Sequence, residues 1–586
     1  MPRRRLHGVI TLALAAGTIA AACGASATPA DETSTSYLTT TSAPDTTTTL
    51  PGTTTTPATS QFGGAVVIGT DEAPSTLNPY AAEGDSHIVT LIGQAIHARA
   101  WDIDAATRRV VPDVLVEIPT VGNGGVVANP NGTMTISYRI RDTANWSDGI
   151  PISGDDFAFT VDTVGAIDDF RSDPFTGRNM YADVTGYEVG IKTFTMTMRQ
   201  TLGYETMFEW ILPKHAVEGT DLRADWTTEI YPGAGPFVVD SWTPGEGVTL
   251  VRNENYWKRD QATGDRLPYL DEVVFESRAT VDELLQVFAA GEIDVVEPPS
   301  GAQQPDPAVV SEVLAGPIWE HVSFQFGPGR LDRNPSSLNS NIDFRRAVAH
   351  AVDRNALGEV NPAWLPISSY LDVGVPELST GSWDRYQYDT DAARTLLDAV
   401  RASEGVDTVT AVFTTTSNSD ERPRIAEALA GMLAAVGIEF ETQLEDSALF
   451  FGETLSSGTY DMGLWAWVVS PTHLGLVGML DLFDPGGAPP DGSNYYRWGT
   501  RDSSVRDDSS ARFSEIRRLA NLTVDVDEVD GLVVEAEQLL ADQLVILPFA
   551  ARTATLQWWG DTVAGLVHNP TEVGYTWNIE EWYRAG

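Results

Sequence analysis

Alternating apolar and polar residues predict several strands in the first half of the chain. Residues 133–141 and 194–199 alternate in this way, which is typical of strands with one buried face. Residues 65–70 form an apolar run before a turn, and residues 237–241 and 247–253 flank a Pro-Gly turn. The first half of the chain is therefore predicted to contain short strands connected by turns.

Three helices are indicated by their end signals and apolar faces. Thr280 and Glu283 form a candidate capping box for a helix over residues 281–290, and Gly291 ends it. A second helix follows Asp343, and Asp353 is the candidate N-cap of a third, shorter helix. The apolar face of the second helix is formed by residues at helical spacing, namely Phe344, Ala347, Val348, Ala351 and Val352.

A strand, helix, strand unit occupies residues 408–444. Residues 408–416 predict a strand, residues 424–436 a helix, and residues 438–444, after Gly437, a second strand. This order is typical of a right-handed parallel crossover. Together with the other strands and helices, it predicts an α/β fold with mixed sheets.

The N-terminal residues predict export. A basic segment, residues 3–5, precedes an apolar stretch over residues 9–22 that is too short to span a bilayer. Cys23, the only cysteine in the chain, follows where a signal peptide would be cut. The segment resembles a bacterial lipoprotein signal, which implies a lipid on Cys23; the alternative is an ordinary secretory signal with a chance cysteine. A single thiol excludes internal disulfides.

The segment after Cys23 has the composition of a tether. Residues 24–61 are mostly Thr, Ser, Pro and Ala, with few large apolar side chains. Such a segment buries too little surface to offset the entropy lost on ordering, so it is predicted to be disordered.

The acidic composition narrows the class of partner. The chain has 37 Lys and Arg residues against 82 Asp and Glu residues, a net charge of −45. Such a charge argues against nucleic acid and anionic lipid headgroups as partners. Either the surface is simply acidic and solvated, or the charge favours cationic or zwitterionic ligands.

No motif for catalysis, a metal or a cofactor stands out. The eight histidines are scattered, and none are paired at the spacing of a helical metal site. Phosphate-binding glycine loops and the G-x-S-x-G motif are absent from the sequence. The adjacent carboxylates Asp155 and Asp156 suit a helix start, so capping is the favoured role. The sequence therefore predicts a protein that is not an enzyme and has neither cofactor nor metal.

Seven segments, in order along the chain, resemble family 5 extracytoplasmic solute-binding proteins, the oligopeptide- and dipeptide-binding group of ABC importers. They are TLNPY (76–80), a Trp-x-Asp-Gly segment (138–160), ILPKH (211–215), GAGPFVVDSWTPGEGVTLVRNENYW (233–257), and the segments 267–296, 343–357 and 460–467. The resemblance implies a two-lobed periplasmic-binding-protein type II fold with an extra inserted domain. It also implies a receptor that captures a small ligand, a peptide above all, in a cleft between the lobes and delivers it to permease subunits.

The resemblance also implies a division of the chain. The implied parts of the chain are a signal peptide (1–22), a lipidated Cys23 with its tether (23–61), lobe 1 in three parts (62–105, 231–326 and 546–586), an inserted domain (106–230) and lobe 2 (327–545). The protein is expected to be a monomer on the outer face of the cytoplasmic membrane, held there by its lipid alone. A non-transport lipoprotein of the same fold, acting in cell-envelope glycolipid assembly or regulation, is the alternative function.

The resemblance assigns ligand contacts to six residues, namely Asn78, Tyr80, Trp465, Trp467, Asn494 and Tyr495. Trp465 and Trp467 are two apart on a predicted strand, so they face the same side and could line the cleft or fill the core. The family places an acidic residue for the peptide α-ammonium group shortly after Trp467, but residues 468–471 contain no carboxylate. Asp461 or Asp481 could replace it only in a rebuilt loop. A peptide is expected, with an oligosaccharide, a glycolipid headgroup or another amphiphile as further candidates.

Overall fold

A computed structural model describes residues 61–172, 177–328, 336–418 and 420–585, with the side chains of residues 336 and 337 excepted. The predicted signal peptide, Cys23 and all but the last residue of the predicted tether lie outside these ranges. The domain division predicted for the chain remains a prediction.

The strands of the described residues are numbered in chain order. They are β1 Ala65–Thr70, β2 Trp101–Ile103, β3 Val110–Pro112, β4 Val126–Ala128, β5 Thr133–Arg139, β6 Val184–Val189, β7 Thr193–Arg199, β8 Phe237–Trp242, β9 Val248–Arg252, β10 Glu272–Ser277, β11 Val295–Val296, β12 Val309–Phe324, β13 Trp364–Pro366, β14 Val409–Thr416, β15 Ile438–Glu445, β16 Met462–Val468, β17 Ile546–Trp559, β18 Val563–Ala564 and β19 Tyr583–Arg584.

The α-helices follow the same numbering. They are α1 His87–Ile96, α2 Gly154–Gly165, α3 Lys214–Val217, α4 Val281–Ala289, α5 Ser336–Ser340, α6 Ile342–Ala351, α7 Arg354–Val360, α8 Thr390–Glu404, α9 Glu421–Val436, α10 Ser447–Leu449, α11 Leu455–Ser457, α12 His473–Asp481, α13 Asp508–Ala520 and α14 Val526–Asp542. A π-helical turn, Phe450–Thr454, joins α10 to α11. Short 3₁₀ segments are Met180–Asp183, Leu202–Thr206, Tyr370–Asp372, Pro376–Leu378, Ser382–Arg385 and Ile579–Glu581.

The predicted end signals of the helices are confirmed with small shifts. The Thr280 hydroxyl accepts a hydrogen bond from the Glu283 N–H at 3.2 Å, and Asp353 caps α7. Asp156 accepts from the Ser153 N–H at 2.9 Å in a capping box, the capping role expected of it. Helix α6 begins at Ile342, two residues earlier than expected, because Asn341 is its N-cap.

One large sheet runs through the molecule in the order β15-β14-β16-β12-β17-β11-β1-β10-β9-β8. The predicted crossover is confirmed as parallel, since β14 pairs with β15 from Val409 opposite Ile438 to Thr416 opposite Glu445. Strand β1 runs parallel to both β10 and β11. The sheet is therefore mixed, as the sequence predicted.

Two long antiparallel strands, β12 and β17, connect the two halves of this sheet. Their pairing shifts register between Ala315 and Trp319, at a segment that contains Pro317, because proline cannot donate a ladder hydrogen bond. On one side of the shift, Leu556 packs with the apolar core around β1. On the other side, Trp319 packs with the core that includes β14 and β16. The strands thus pass between two separate apolar cores, as expected of a two-lobed α/β fold.

A separate four-stranded antiparallel sheet, in the order β4-β5-β7-β6, lies within the predicted inserted domain. Its inward residues alternate along β5 and β7, where Met134, Ile136, Phe194 and Met196 are fully buried. The alternation that predicted these strands therefore reflects one buried and one more accessible face.

A buried network of ion pairs ties the C-terminal segment to the first half of the chain. The Lys258 ammonium lies 2.6 Å from Asp113 and 2.9 Å from Glu580, and Arg99 lies 2.7 Å from Asp102. Burial raises the pKa of Asp102 to about 6 despite the pull of Arg99. Each charge has an opposite partner, which offsets the cost of removing it from water.

Candidate functional site

A small open cavity of about 50 Å³ lies at the carboxyl end of β1. Ligands of α/β sheets bind outside the carboxyl ends of parallel strands, and β1 lies between two parallel neighbours. The lining residues come from the end of β1, the first turns of α1, helix α4, the residue after β11 and the C-terminal segment; they are Gly69, Thr70, Asp71, Glu72, His87, Ile88, Leu91, Leu284, Glu297 and Tyr575.

The polar lining of this cavity is mainly acidic. His87 Nε2 lies 3.0 Å from the Glu297 carboxylate. Burial acts to lower the pKa of His87, but Glu297, Glu72 and Asp71 together outweigh it and raise that pKa. Burial raises the pKa of Tyr575 well above its usual value, and Glu297 and Asp71 add to the effect. The cavity thus holds three carboxylates against one histidine.

A contact between distant parts of the chain brings another carboxylate to the segment after β16. The Ser470 hydroxyl donates to the Glu572 carboxylate at 2.9 Å. Glu572 keeps an accessible side chain, yet surrounding protein raises its pKa, as expected of a carboxylate inside a cleft. Burial raises the pKa of Glu209 to about 7, and the nearby Glu572 contributes. These carboxylates have no basic side chain in an ion pair with them among the described residues.

A second polar contact lies at the first residue of α12. The His473 ring lies 2.7 Å from Glu205 through Nδ1 and 3.2 Å from Asp530 through Nε2. Arg109 donates to Asp530 at 2.7 and 3.1 Å and also pairs with Glu377. Arg109 and Glu205 belong to the predicted inserted domain, whereas His473, Asp530 and Glu377 belong to predicted lobe 2. The cluster therefore joins these two parts of the chain.

Four of the six predicted ligand contacts are buried and hydrogen-bonded to, or packed against, protein. Asn78 donates to the Leu222 carbonyl at 2.7 Å, and the Tyr80 hydroxyl donates to the Trp210 carbonyl at 2.6 Å. Asn494 donates to two carbonyls, those of Asp484 and Trp498, each at 3.0 Å. Trp465 is fully buried and stacks on Tyr496. A ligand contact for these four residues remains a prediction.

The other two predicted contacts, Trp467 and Tyr495, are partly accessible and stack on each other with ring centroids 5.9 Å apart. The Trp467 Nε1–H donates to the Tyr496 hydroxyl at 2.9 Å. Trp465 and Trp467 both reach Tyr496, so they share one face of β16, as the strand period predicted. Of the six residues, these two are the ones that a ligand could reach without displacing a buried side chain.

The carboxylate near the segment after β16 was missed by the sequence reasoning. Asp481, one candidate for that role, pairs with Arg517 at 2.7 Å, and Asp461 is buried. Glu572 reaches Ser470 from a position 102 residues further along the chain. No local pattern signals such a contact, because only the folded chain brings the two segments together.

Neither a metal site nor a membrane-spanning helix occurs in the part of the chain that the structure describes. Across residues 61–172, 177–328, 336–418 and 420–585, no three His, Cys, Asp or Glu side chains are placed to hold a metal ion. In the same ranges, no helix has the length and apolar content required to cross a membrane.

Comparison with known proteins gives a consistent set of relatives. The model of the bacterial extracellular solute-binding proteins, family 5, matches residues 128–476. A probable ABC transporter-binding protein of Deinococcus radiodurans is 25% identical over 45% of this chain, and the match spans about half, 49%, of that relative. The oligopeptide-binding protein OppA of Bacillus subtilis is 22% identical over 75% of this chain and 80% of its own length. The unliganded open form of the murein tripeptide-binding protein MppA has a similar fold, with a TM-score of 0.68 at 17% identity, covering 89% of this chain and 97% of that chain.

Proposed function

Since the chain belongs to family 5 of the bacterial extracellular solute-binding proteins, we propose that it is the receptor of an ABC import system and captures a peptide outside the cytoplasm. The names of the oligopeptide-binding relatives support a peptide ligand. The relatives do not favour the alternative role in cell-envelope glycolipid assembly. Binding without catalysis is part of the proposal, with the ligand leaving chemically unchanged.

The contact between Ser470 and Glu572 carries the proposal for how a peptide is held. A buried ammonium group without a counter-charge is costly, and residues 468–471 supply none. Glu572 places an accessible carboxylate beside this segment, at 2.9 Å from Ser470. We therefore assign Glu572 to the α-ammonium group of the peptide, and the partly accessible Trp467 and Tyr495 to its aromatic contacts.

The location of the receptor completes the proposal. Cys23 is proposed to carry the lipid that holds the protein at the outer face of the cytoplasmic membrane. Residues 24–61 would then separate the binding body from the membrane. Permease subunits that accept the ligand are the expected partners, and the body is proposed to act as a monomer.

Binding of trialanine and its N-acetylated form, measured by calorimetry, tests this function. Free trialanine is expected to bind wild type, and acetylation should weaken binding by about tenfold or more, because it removes the charge that Glu572 attracts. Glu572→Gln should abolish the difference between the two peptides. Asp561→Asn, which alters an exposed carboxylate in the same C-terminal segment, is the matched control and should retain it.

Native mass spectrometry of protein purified without denaturation provides an independent arm. A co-purified peptide would support the function directly. If no peptide co-purifies and trialanine fails to bind, the peptide receptor function is wrong. If both forms of trialanine bind equally to wild type, the receptor function stands and the role of Glu572 is wrong.

A further inference from the structure

The cavity at the carboxyl end of β1 is lined by acidic residues that play no part in the proposed binding of the peptide α-ammonium group. Asp71 and Glu72 follow β1 directly, and Glu297 follows β11, so the parallel pairing of these strands brings the three carboxylates to one edge of the sheet. Among the described residues, neither Asp71 nor Glu72 has an ion-pair partner. Glu297 pairs only with His87, at 3.0 Å. The cavity is therefore negatively charged even with His87 protonated.

An unpartnered hydroxyl lies on the wall of this cavity. Tyr575 is 3% exposed and lines the cavity. Its hydroxyl makes no hydrogen bond to protein among the described residues and is not enclosed, so it is open to a molecule in the cavity. Tyr575 shares the lining of this cavity with the carboxylates of Glu297 and Asp71. A ligand with hydrogen-bond donors would satisfy the phenolic oxygen.

The remaining walls are apolar. Ile88 and Leu91 of α1 and Leu284 of α4 contribute buried side chains to the lining. The lining contains no Lys or Arg. The amino end of α1 adds a partial positive charge of roughly half a unit at most, which is too small to reverse the charge of three carboxylates. An apolar wall next to acidic groups matches a cation carried on a hydrocarbon stem.

We propose that this cavity is a subsite for a primary ammonium group on an aliphatic stem, as in the side chain of a lysine residue or in a free alkylamine. The stem would pack against Ile88, Leu91 and Leu284. The ammonium group has three donors and no acceptor, which suits the oxygens of Asp71, Glu297 and Tyr575. The subsite deepens the proposed function, on which it rests, by giving the receptor a preference for peptides that contain a basic residue.

Two peptides that differ only in the ammonium group test the subsite. Ala-Lys-Ala and Ala-norleucine-Ala have nearly the same hydrocarbon stem, and both keep the α-ammonium group that Glu572 is proposed to bind. At low salt, calorimetry should show that wild type binds the lysine peptide about tenfold more tightly, a difference of about 1.4 kcal/mol. Butylamine, which carries the same stem and ammonium group alone, is the probe for a free amine.

Asp71→Asn should remove most of the preference for the lysine peptide and leave the affinity for the norleucine peptide unchanged. The variant is expected to fold, because Asp71 is exposed and makes no ion pair in the described part of the chain. Tyr575→Phe is a second variant that deletes only the unpartnered hydroxyl and should lower the preference without lowering the melting temperature. Glu292→Gln, which removes a charge from an exposed residue outside the cavity, should keep the full preference.

The outcomes separate the subsite from the peptide receptor function. Equal affinity of wild type for the two peptides overturns the subsite and leaves the receptor function in place. If butylamine binds to wild type but not to Asp71→Asn, and neither peptide binds, the ammonium subsite is supported with a free amine as its source. The peptide function is then wrong. If neither the lysine peptide nor butylamine binds, the subsite is wrong. A preference that survives both Asp71→Asn and Tyr575→Phe also overturns it.

Discussion

Replacing His473 with Gln should weaken the contact between the predicted inserted domain and predicted lobe 2. His473 is largely buried and lies between two carboxylates, at 2.7 Å from Glu205 and 3.2 Å from Asp530. Arg109 neutralises one of them, because it donates twice to Asp530, and its guanidinium also lies 3.3 Å from His473 Nε2. Glu205, with a side chain 4% exposed, depends on His473 for its positive partner. Glutamine keeps a hydrogen-bond donor of similar reach but removes the charge.

The pKa of His473 sets the magnitude and the pH window of this effect. Burial alone would lower that pKa, but Glu205 and Asp530 outweigh it and raise it from 6.5 to about 9. Since a tenfold change in proton affinity corresponds to about 1.4 kcal/mol, the protonated ring contributes about 3 kcal/mol to the free energy of unfolding. The folded-state pKa is the higher one, so this contribution is complete below pH 6.5 and is lost as the pH rises through about 9.

Urea unfolding of wild type and His473→Gln across this pH range tests the reasoning. The variant should be less stable by about 3 kcal/mol below pH 6.5, and the difference should shrink toward zero above about pH 10. His215→Gln is the matched control, because His215 pairs with the single, more exposed carboxylate of Asp148 at 2.7 Å. A difference between wild type and His473→Gln that is the same at every pH would refute the charge argument. An NMR titration that finds His473 half protonated near pH 6.5 would refute it independently.

Three further predictions follow from other parts of the chain. Lys258→Met should lower the free energy of unfolding by about 3 kcal/mol or more, because the buried Glu580 would lose its cation and Asp113 would keep only Arg99, at 4.0 Å; a urea midpoint within error of wild type would contradict this. Trp467→Ala should weaken peptide binding in calorimetry while the melting temperature falls only slightly, since the ring is partly accessible. Unchanged affinity would mean that the Trp467 side chain only fills the core. Cys23→Ser should move the protein from the membrane fraction to the medium, as immunoblotting of the two fractions would show, whereas unchanged fractionation would mean that Cys23 holds no anchor.

Much of the architecture could be predicted from short-range patterns, because each pattern expresses one local physical rule. The alternation in residues 133–139 gives a strand since successive side chains point to opposite faces, and the structure buries Met134, Ile136 and Tyr138. Thr280 and Asp353 mark helix starts since their side chains accept hydrogen bonds from free backbone N–H groups. The order of the family segments then gave the two-lobed α/β fold by resemblance.

The six ligand contacts named from the resemblance remain predictions. Asn78, Tyr80, Trp465 and Asn494 were assigned to ligand by resemblance, and the structure buries all four among protein partners. Asn78 and Tyr80 belong to the TLNPY segment, and their side chains donate hydrogen bonds to the Leu222 and Trp210 carbonyls. A motif that is required for structure cannot be distinguished by sequence alone from one that is required for binding.

What the sequence by itself determined is the set of elements, their caps and the acidic character of the chain, because these depend on neighbouring residues and on composition. What only the tertiary structure decided is which charges meet. Glu572 and Ser470 are 102 residues apart, and Glu205 and His473 are 268 apart. The cavity carboxylates Asp71 and Glu297 meet because β1 and β11 pair in parallel. Sheet pairing and the packing of one half against the other place such groups together, and no local preference of the chain encodes that choice.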